Sequence, residues 1–190
     1  MSHKFILANA MLTALLLLCG PARAAAFDSG YTDINLDDCT IMSADDFGAR
    51  WACPGYRGYP LYIAEGDLRF MVSYGFDAPN EFAATQTPPP FNYLGDKLEW
   101  RLSNKGGEFK PVATIVRYFV DDQDSDTDKQ VLAVTQLAPG NTCHIGYVDA
   151  TETADANIAA RKIADRAGSF DCANDRPEYS TPFKAWRPPQ

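Results

Sequence analysis

Two segments of the chain are apolar on nearly every position. Residues 112–120 (Val-Ala-Thr-Ile-Val-Arg-Tyr-Phe-Val) and 131–137 read as strands buried on both sides rather than on one. A Pro139-Gly140-Asn141 turn leads into a third run, 142–148, and the three predict a central antiparallel sheet. Residues 97–102 alternate charged and apolar positions through Leu98, Trp100 and Leu102, which predicts a strand with one buried face. Upstream, short β-favouring runs at 49–52, 61–64 and 68–74 are separated by Pro54-Gly55, Gly58 and Glu65-Gly66-Asp67. That is strand–turn–strand patterning, with Pro-Gly suited to the centre of a type II turn.

The period changes once. Ala156, Ala160, Ile163, Ala167 and Phe170 form one stripe, which predicts a helix over 156–167 capped by Thr153 or Asp155 and ended by Gly168. Arg161, Lys162 and Arg166 lie in its C-terminal half, where cations suit the helix dipole. Three other segments carry no such period. Residues 25–46 are polar and Asp-rich and read as an irregular arm; 77–96 hold Pro79 and Pro88-Pro89-Pro90 and read as a long loop or a seam. The Pro-rich tail, 176–190, reads as extended or disordered. The expected fold is α+β: a single domain over 25–175, mainly antiparallel sheet, with one C-terminal helix packed on it.

The first residues change the compartment. His3 and Lys4 precede a nearly unbroken apolar run from 5 to 18, and Ala22-Arg23-Ala24 offers the small residues of a signal-peptidase site. The run is shorter than the roughly 20 residues of a membrane-spanning helix, so a secretory signal over 1–24 is expected. A lipid anchor on Cys19 is the rival, but Leu18 stands where such a site wants a small residue. Without the leader's Lys4 and Arg23, 15 basic side chains face 25 acidic ones, a net charge of −10. That balance argues against nucleic acid and anionic membranes as partners. Nineteen of the acids are Asp, which favours turns and caps over helix interiors.

Removing the leader leaves Cys39, Cys53, Cys143 and Cys172, an even count that in an exported chain reads as two disulfides. Of three possible pairings, Cys39–Cys53 with Cys143–Cys172 is preferred, one staple at each end. Zinc is disfavoured, because no Cys-x-x-Cys occurs and His144 is the only histidine after the leader.

Four stretches carry candidate chemistry. Between the two most apolar runs lies Asp121-Asp122-Gln123-Asp124-Ser125-Asp126-Thr127-Asp128, where Asp122, Asp124, Asp126 and Asp128 alternate. Such carboxylates suit calcium at the weak affinity of extracellular sites. Yet Thr127 stands where an EF-hand loop has glycine, and Ala133 where it has its bidentate Glu. A solvated hairpin tip is the expected reading, with no cofactor beyond weak calcium. Cys143-His144 places a thiol beside an imidazole, but strand neighbours diverge and the thiol is expected to be oxidised, leaving a surface or capping histidine. Glu65, Asp67 and Asp149 are candidate acid–base carboxylates. The aromatic segment 51–62 holds Trp51, Tyr56, Arg57 and Tyr59, residue types suited to recognition and equally to filling a core.

The residues 114–120, the run Cys143-His-Ile-Gly-Tyr-Val-Asp-Ala150, and Asp155-Ala-Asn-Ile-Ala-Ala-Arg-Lys-Ile-Ala-Asp165 with Phe170 and Cys172 resemble a module of uncharacterised secreted proteins of alphaproteobacteria. The resemblance covers about a third of the chain and implies secretion, disulfides and the helix, and nothing catalytic. Together these readings lead to an expected periplasmic or secreted, non-enzymatic binding or inhibitor-like module for a protein or cell-envelope component. The alternatives are a small hydrolase using carboxylates, or a weak calcium binder. Oligomeric state is not legible.

Overall fold

The three apolar runs form the middle of a six-stranded sheet. The computed structural model describes residues 26–187, so the expected leader lies outside the described residues, as do the last three residues of the tail. The strands are β1 (Phe27–Asp33), β2 (Thr40–Asp45), β3 (Gly48–Cys53), β4 (Leu61–Gly66), β5 (Arg69–Tyr74), β6 (Asn92–Ser103), β7 (Lys110–Val120), β8 (Lys129–Gln136), β9 (His144–Asp149) and β10 (Glu178–Tyr179). The helix α1 spans Ala156–Ala164. One sheet has the order β1-β6-β7-β8-β9-β10, antiparallel except for the parallel β9–β10 pair. The other is the meander β2-β3-β4-β5. The fold is α+β, and both expected disulfides, Cys39–Cys53 and Cys143–Cys172, are formed. They close loops of 14 and 29 residues, each contributing about 3–4 kcal/mol on the chain-entropy model.

Strand alternation then distributes the side chains into layers. Leu98, Trp100, Val116, Tyr118, Val131 and Ala133 face the meander's Leu61, Ile63, Val72 and Tyr74. Trp100 is fully buried at the centre of this layer, and its indole N–H donates to Thr32 Oγ1 at 2.8 Å. On the opposite face, Ala113, Ile115, Leu132 and Val134 receive Ala156, Ala160, Ile163 and Ala164 of α1. The helix sits close because its contacts are small and because Gly146 lies beneath it. A Cβ on Gly146 would meet Ile163 Cγ2 at 2.8 Å.

Several expectations change. The polar arm is two strands, β1 and β2, both at sheet edges, and every residue of β2 is exposed. An edge strand needs backbone partners but few apolar side chains, so its hydropathy is silent. The described part of the tail is packed down: β10 pairs with β9, and Tyr179, Phe183, Ala185 and Trp186 pack onto the inter-sheet core. The segment 77–96 fastens the sheets together. Its two short 3₁₀ turns, Ala78–Asn80 and Phe82–Thr85, flank the meander's outer face, and buried Glu81 accepts the N–H groups of Gly140 (2.6 Å) and Thr142 (3.1 Å). Pro54-Gly55 does not form a type II turn, since Gly55 has φ −110°. Glycine is needed there because a Cβ would lie 2.0 Å from Tyr59 O and 2.9 Å from Trp100 Cζ2. The helix ends three residues early, tightening into i→i−3 bonds from Arg166 and Ala167. Neither expected cap is used: Asp155 makes no side-chain cap bond, and Thr153 Oγ1 has no partner.

Candidate functional site

The aromatic segment splits between two environments. Tyr56 and Tyr59 turn inward against Trp100, with ring centroids 6.3 and 5.6 Å away, and Tyr74 closes the cluster at 5.7 Å. Burial, reinforced by Glu81, raises the Tyr59 phenol above its ordinary value. Arg57 is exposed in a left-handed conformation (φ 49°), its guanidinium 5.2 Å from the Tyr56 ring centre. Trp51 lies elsewhere. From β3 it lines a cleft of about 590 Å³ where the meander meets the far end of β6 and the β7–β8 loop.

That cleft gathers Phe70, Phe91 and Tyr93 around Trp51, with Leu68 at its edge and the carboxylates of Glu65, Asp121 and Asp128. Its walls are braced by Asn92, a buried side chain whose Oδ1 accepts the Phe70 N–H (3.0 Å) and whose Nδ2 donates to Thr87 Oγ1 (2.9 Å) and Pro88 O (2.5 Å). Tyr93 donates its hydroxyl to Asp128 Oδ2 at 2.9 Å and stacks on Phe119 at 4.9 Å. The carboxylate that accepts this bond raises the Tyr93 phenol above its usual value, with burial and charge adding to the shift. At the mouth, Asp67 and Leu68 form the β4–β5 turn with φ of 52° and 59°. This is the left-handed pair of a type I′ hairpin, which favours Asn-Gly. Leucine there is strained, 66% exposed, and has its N–H fastened to Glu65 Oε1 at 3.1 Å.

The acidic loop divides in the same way. Asp128 holds Tyr93, and Asp122 pairs with Lys129 at 3.3 Å while its backbone carbonyl closes a turn onto the Ser125 N–H. Asp124 and Asp126 are exposed. Among the described residues, no three His, Cys, Asp or Glu side chains are gathered as metal ligands would be. The three candidate catalytic carboxylates are not brought together in the cleft either. Glu65 lines it, whereas Asp67 pairs with Arg69 at 2.5 Å. Asp149 is fully buried and structural: Oδ1 accepts the Thr151 and Glu152 N–H groups at 3.1 Å, and Oδ2 accepts the Lys184 N–H at 2.7 Å, fixing the tail.

His144 is the clearest departure from expectation. It is 1% exposed rather than at the surface, its Nδ1 lies 2.7 Å from Tyr147 OH, and its Nε2 has no partner. Burial lowers its pKa to about 4. Cys143 is oxidised, so no thiol stands beside it.

Phe70, Phe91 and Tyr93 carry no sequence signal beyond their apolarity. The one available hint is that Phe91 and Tyr93, with Asn92 between them, follow Pro88-Pro89-Pro90, where a chain leaving a rigid loop presents side chains at a rim. Compared with protein-family models, curated proteins and solved structures, the chain matches none.

Proposed function

We propose that the protein is an exported, non-enzymatic binding module that holds a cationic segment of a protein or cell-envelope component in the aromatic and acidic cleft. One observation carries this reading: Trp51, Phe70, Phe91 and Tyr93 share a single cleft with Glu65, Asp121 and Asp128. Aromatic faces attract cations by about 0.5–2 kcal/mol each, and nearby carboxylates add Coulombic attraction and steering. A guanidinium or ammonium group on an apolar stem satisfies both kinds of wall at once. The strained, exposed Leu68 at the mouth supports the reading, since a left-handed leucine costs about 1–3 kcal/mol and such strain collects at recognition sites. The two disulfides suit the oxidising compartment expected from the leader, and among the described residues no helix is long and apolar enough to cross a membrane.

The test is a titration of the oxidised mature chain with hexa-arginine, followed by tryptophan fluorescence, beside capture from envelope extracts. Saturable, salt-sensitive quenching that disappears in the Glu65→Gln/Asp121→Asn/Asp128→Asn variant is the expected result, together with captured material lost in the same variant. Equal quenching by hexaglutamate, or unchanged behaviour of the variant, would overturn the proposal.

A further inference from the structure

The helix covers only part of its face of the six-stranded sheet, and beyond it lies a cavity of about 500 Å³. Nine helical residues span about 14 Å, while the eleven residues of β7 run for about 36 Å, so the shortfall is built into the lengths. The floor is apolar: Leu94, Ile115, Phe119 and Leu132. One wall is opened by β6, which spends four residues (Leu94 to Leu98) where β7 spends two (Tyr118 to Val116).

Arg117 projects from β7 into this cavity. Its Nη1 donates to Gln130 Oε1 at 2.7 Å, and among the described residues no carboxylate lies within ion-pair distance of it. Burial pulls its pKa below the ordinary guanidinium value. The other charges are engaged or at the rim. Glu99 is held bidentately by Arg161 (2.6 and 3.1 Å) and by the Ser29 hydroxyl (2.6 Å), Lys97 pairs with Asp33, and Asp96 is exposed. A half-buried guanidinium on an apolar floor with four N–H donors to spare is costly unless an anion meets it.

We propose that this cavity binds a small molecule with an apolar body and a terminal carboxylate. The carboxylate pairs with the planar fork of Arg117, which matches it in two parallel hydrogen bonds. The body lies on Leu94, Ile115, Phe119 and Leu132, and Asn157 at the start of α1 adds an amide at the wall. An acyl chain and the apolar C-terminal residue of a peptide both carry this chemistry. The site is separate from the cleft, although the Tyr93–Phe119 stack joins their walls.

The test uses octanoate, N-acetyl-leucine, octylamine and 1-octanol as probes, with NMR of the Ile115 and Leu132 methyls and the Arg117 Nε–H. Expected are saturable shifts at these groups with a carboxylate probe and none with octylamine. Tighter binding of octanoate assigns the acyl source, and tighter binding of N-acetyl-leucine the peptide terminus. Arg117→Gln should weaken binding by about 10- to 100-fold, the worth of charge-assisted hydrogen bonds. Arg117→Lys, which keeps charge without the fork, should fall between the two, and it decides the question if Arg117→Gln fails to fold. The Glu65→Gln/Asp121→Asn variant, which leaves the Tyr93–Asp128 bond and the Phe119 stack in place, should bind octanoate unchanged, which separates this site from the cleft. No shifts with either carboxylate at about 10 mM, the weak end of useful affinity, would sink the proposal. So would equal binding of 1-octanol, or full affinity in both Arg117 variants.

Discussion

The two faces of the six-stranded sheet are built from different materials. The face toward the meander is aromatic and closed: Trp100 touches Tyr56, Tyr59 and Tyr74, and Tyr147 meets Tyr179 and Trp186 from the tail. The face toward α1 is small and partly open, with Ala113, Ala156, Ala160 and Ala164 around Ile163. There the helix is held by ion pairs as well as packing: Arg161 with Glu99, Asp165 with Arg101 at 2.5 Å, and Arg166 with Glu178. A large rigid ring fills space from one position and draws distant segments onto it. Alanines bring a helix close without extending its footprint. The difference therefore explains why the meander face recruits even the Pro-rich tail, while the helix face leaves a cavity beside Arg117.

Truncating the anchor of each face measures the contrast. Trp100→Ala should destabilise by about 3–5 kcal/mol, the upper range for a large buried side chain, and it also leaves Thr32 Oγ1 without its donor. Ile163→Ala, on the looser face, should cost about 2–3 kcal/mol, at the lower end for this exchange. Urea unfolding with disulfides intact gives both values. A larger loss for Ile163→Ala would reverse the assignment of the meander face as the principal core.

The meander side also contains an acid-sensitive group. His144 has a folded pKa of about 4, below the ordinary 6.5, because burial disfavours its charged form. The folded state thus binds fewer protons than the unfolded chain between these values, and stability rises with pH across that window. The neutral imidazole carries no penalty above pH 6.5; the cost accumulates as pH falls and levels off below about 4, reaching on the order of 3 kcal/mol. His144→Gln should be less stable at pH 7.5 but have a visibly flatter stability curve from pH 6.5 to 4. An unchanged slope would mean that carboxylates, not His144, govern the acid limb.

Legibility followed burial. The strands β7, β8 and β9, the helix and the presence of two disulfides are readable, because two-sided burial writes continuous apolar runs and because four cysteines in an oxidising compartment pair; the preferred one of three connectivities is the one formed, but the count of cysteines does not select it. The edge strands β1 and β2 were not, since their stability comes from backbone ladders that polar residues make equally well. The tail departs from expectation for a related reason: its prolines suggest an extended or disordered chain, but Tyr179, Phe183 and Trp186 pack that chain onto the core. Of the cleft, the sequence marks Trp51 as a recognition or core aromatic, Glu65 as a candidate acid–base carboxylate and Asp128 as a candidate metal ligand. Their convergence depends on how two sheets meet, which no local pattern encodes.

The smallest expected effect lies at the acidic hairpin, where the two faces run out. Asp124 and Asp126 make no ion pair among the described residues and stand in solvent, so replacing both by Asn should change stability by no more than about 0.5 kcal/mol. Removing like charge from a crowded tip even favours a slight gain at low salt. Calcium at about 5 mM, above the range of extracellular modules, should leave the melting temperature within about 1 °C, because Asp122 is engaged by Lys129 and Asp128 by Tyr93. Asp128→Asn should behave differently from the Asp124/Asp126 pair. It weakens the acceptor that fixes Tyr93 against Phe119, and so loosens the wall shared by the cleft and the helix-side cavity. Measured side by side, a silent double variant and an Asp128→Asn variant with reduced hexa-arginine quenching would place the loop's role in that one carboxylate. A calcium-dependent rise in melting temperature abolished by Asp124→Asn would instead return the loop to a cation.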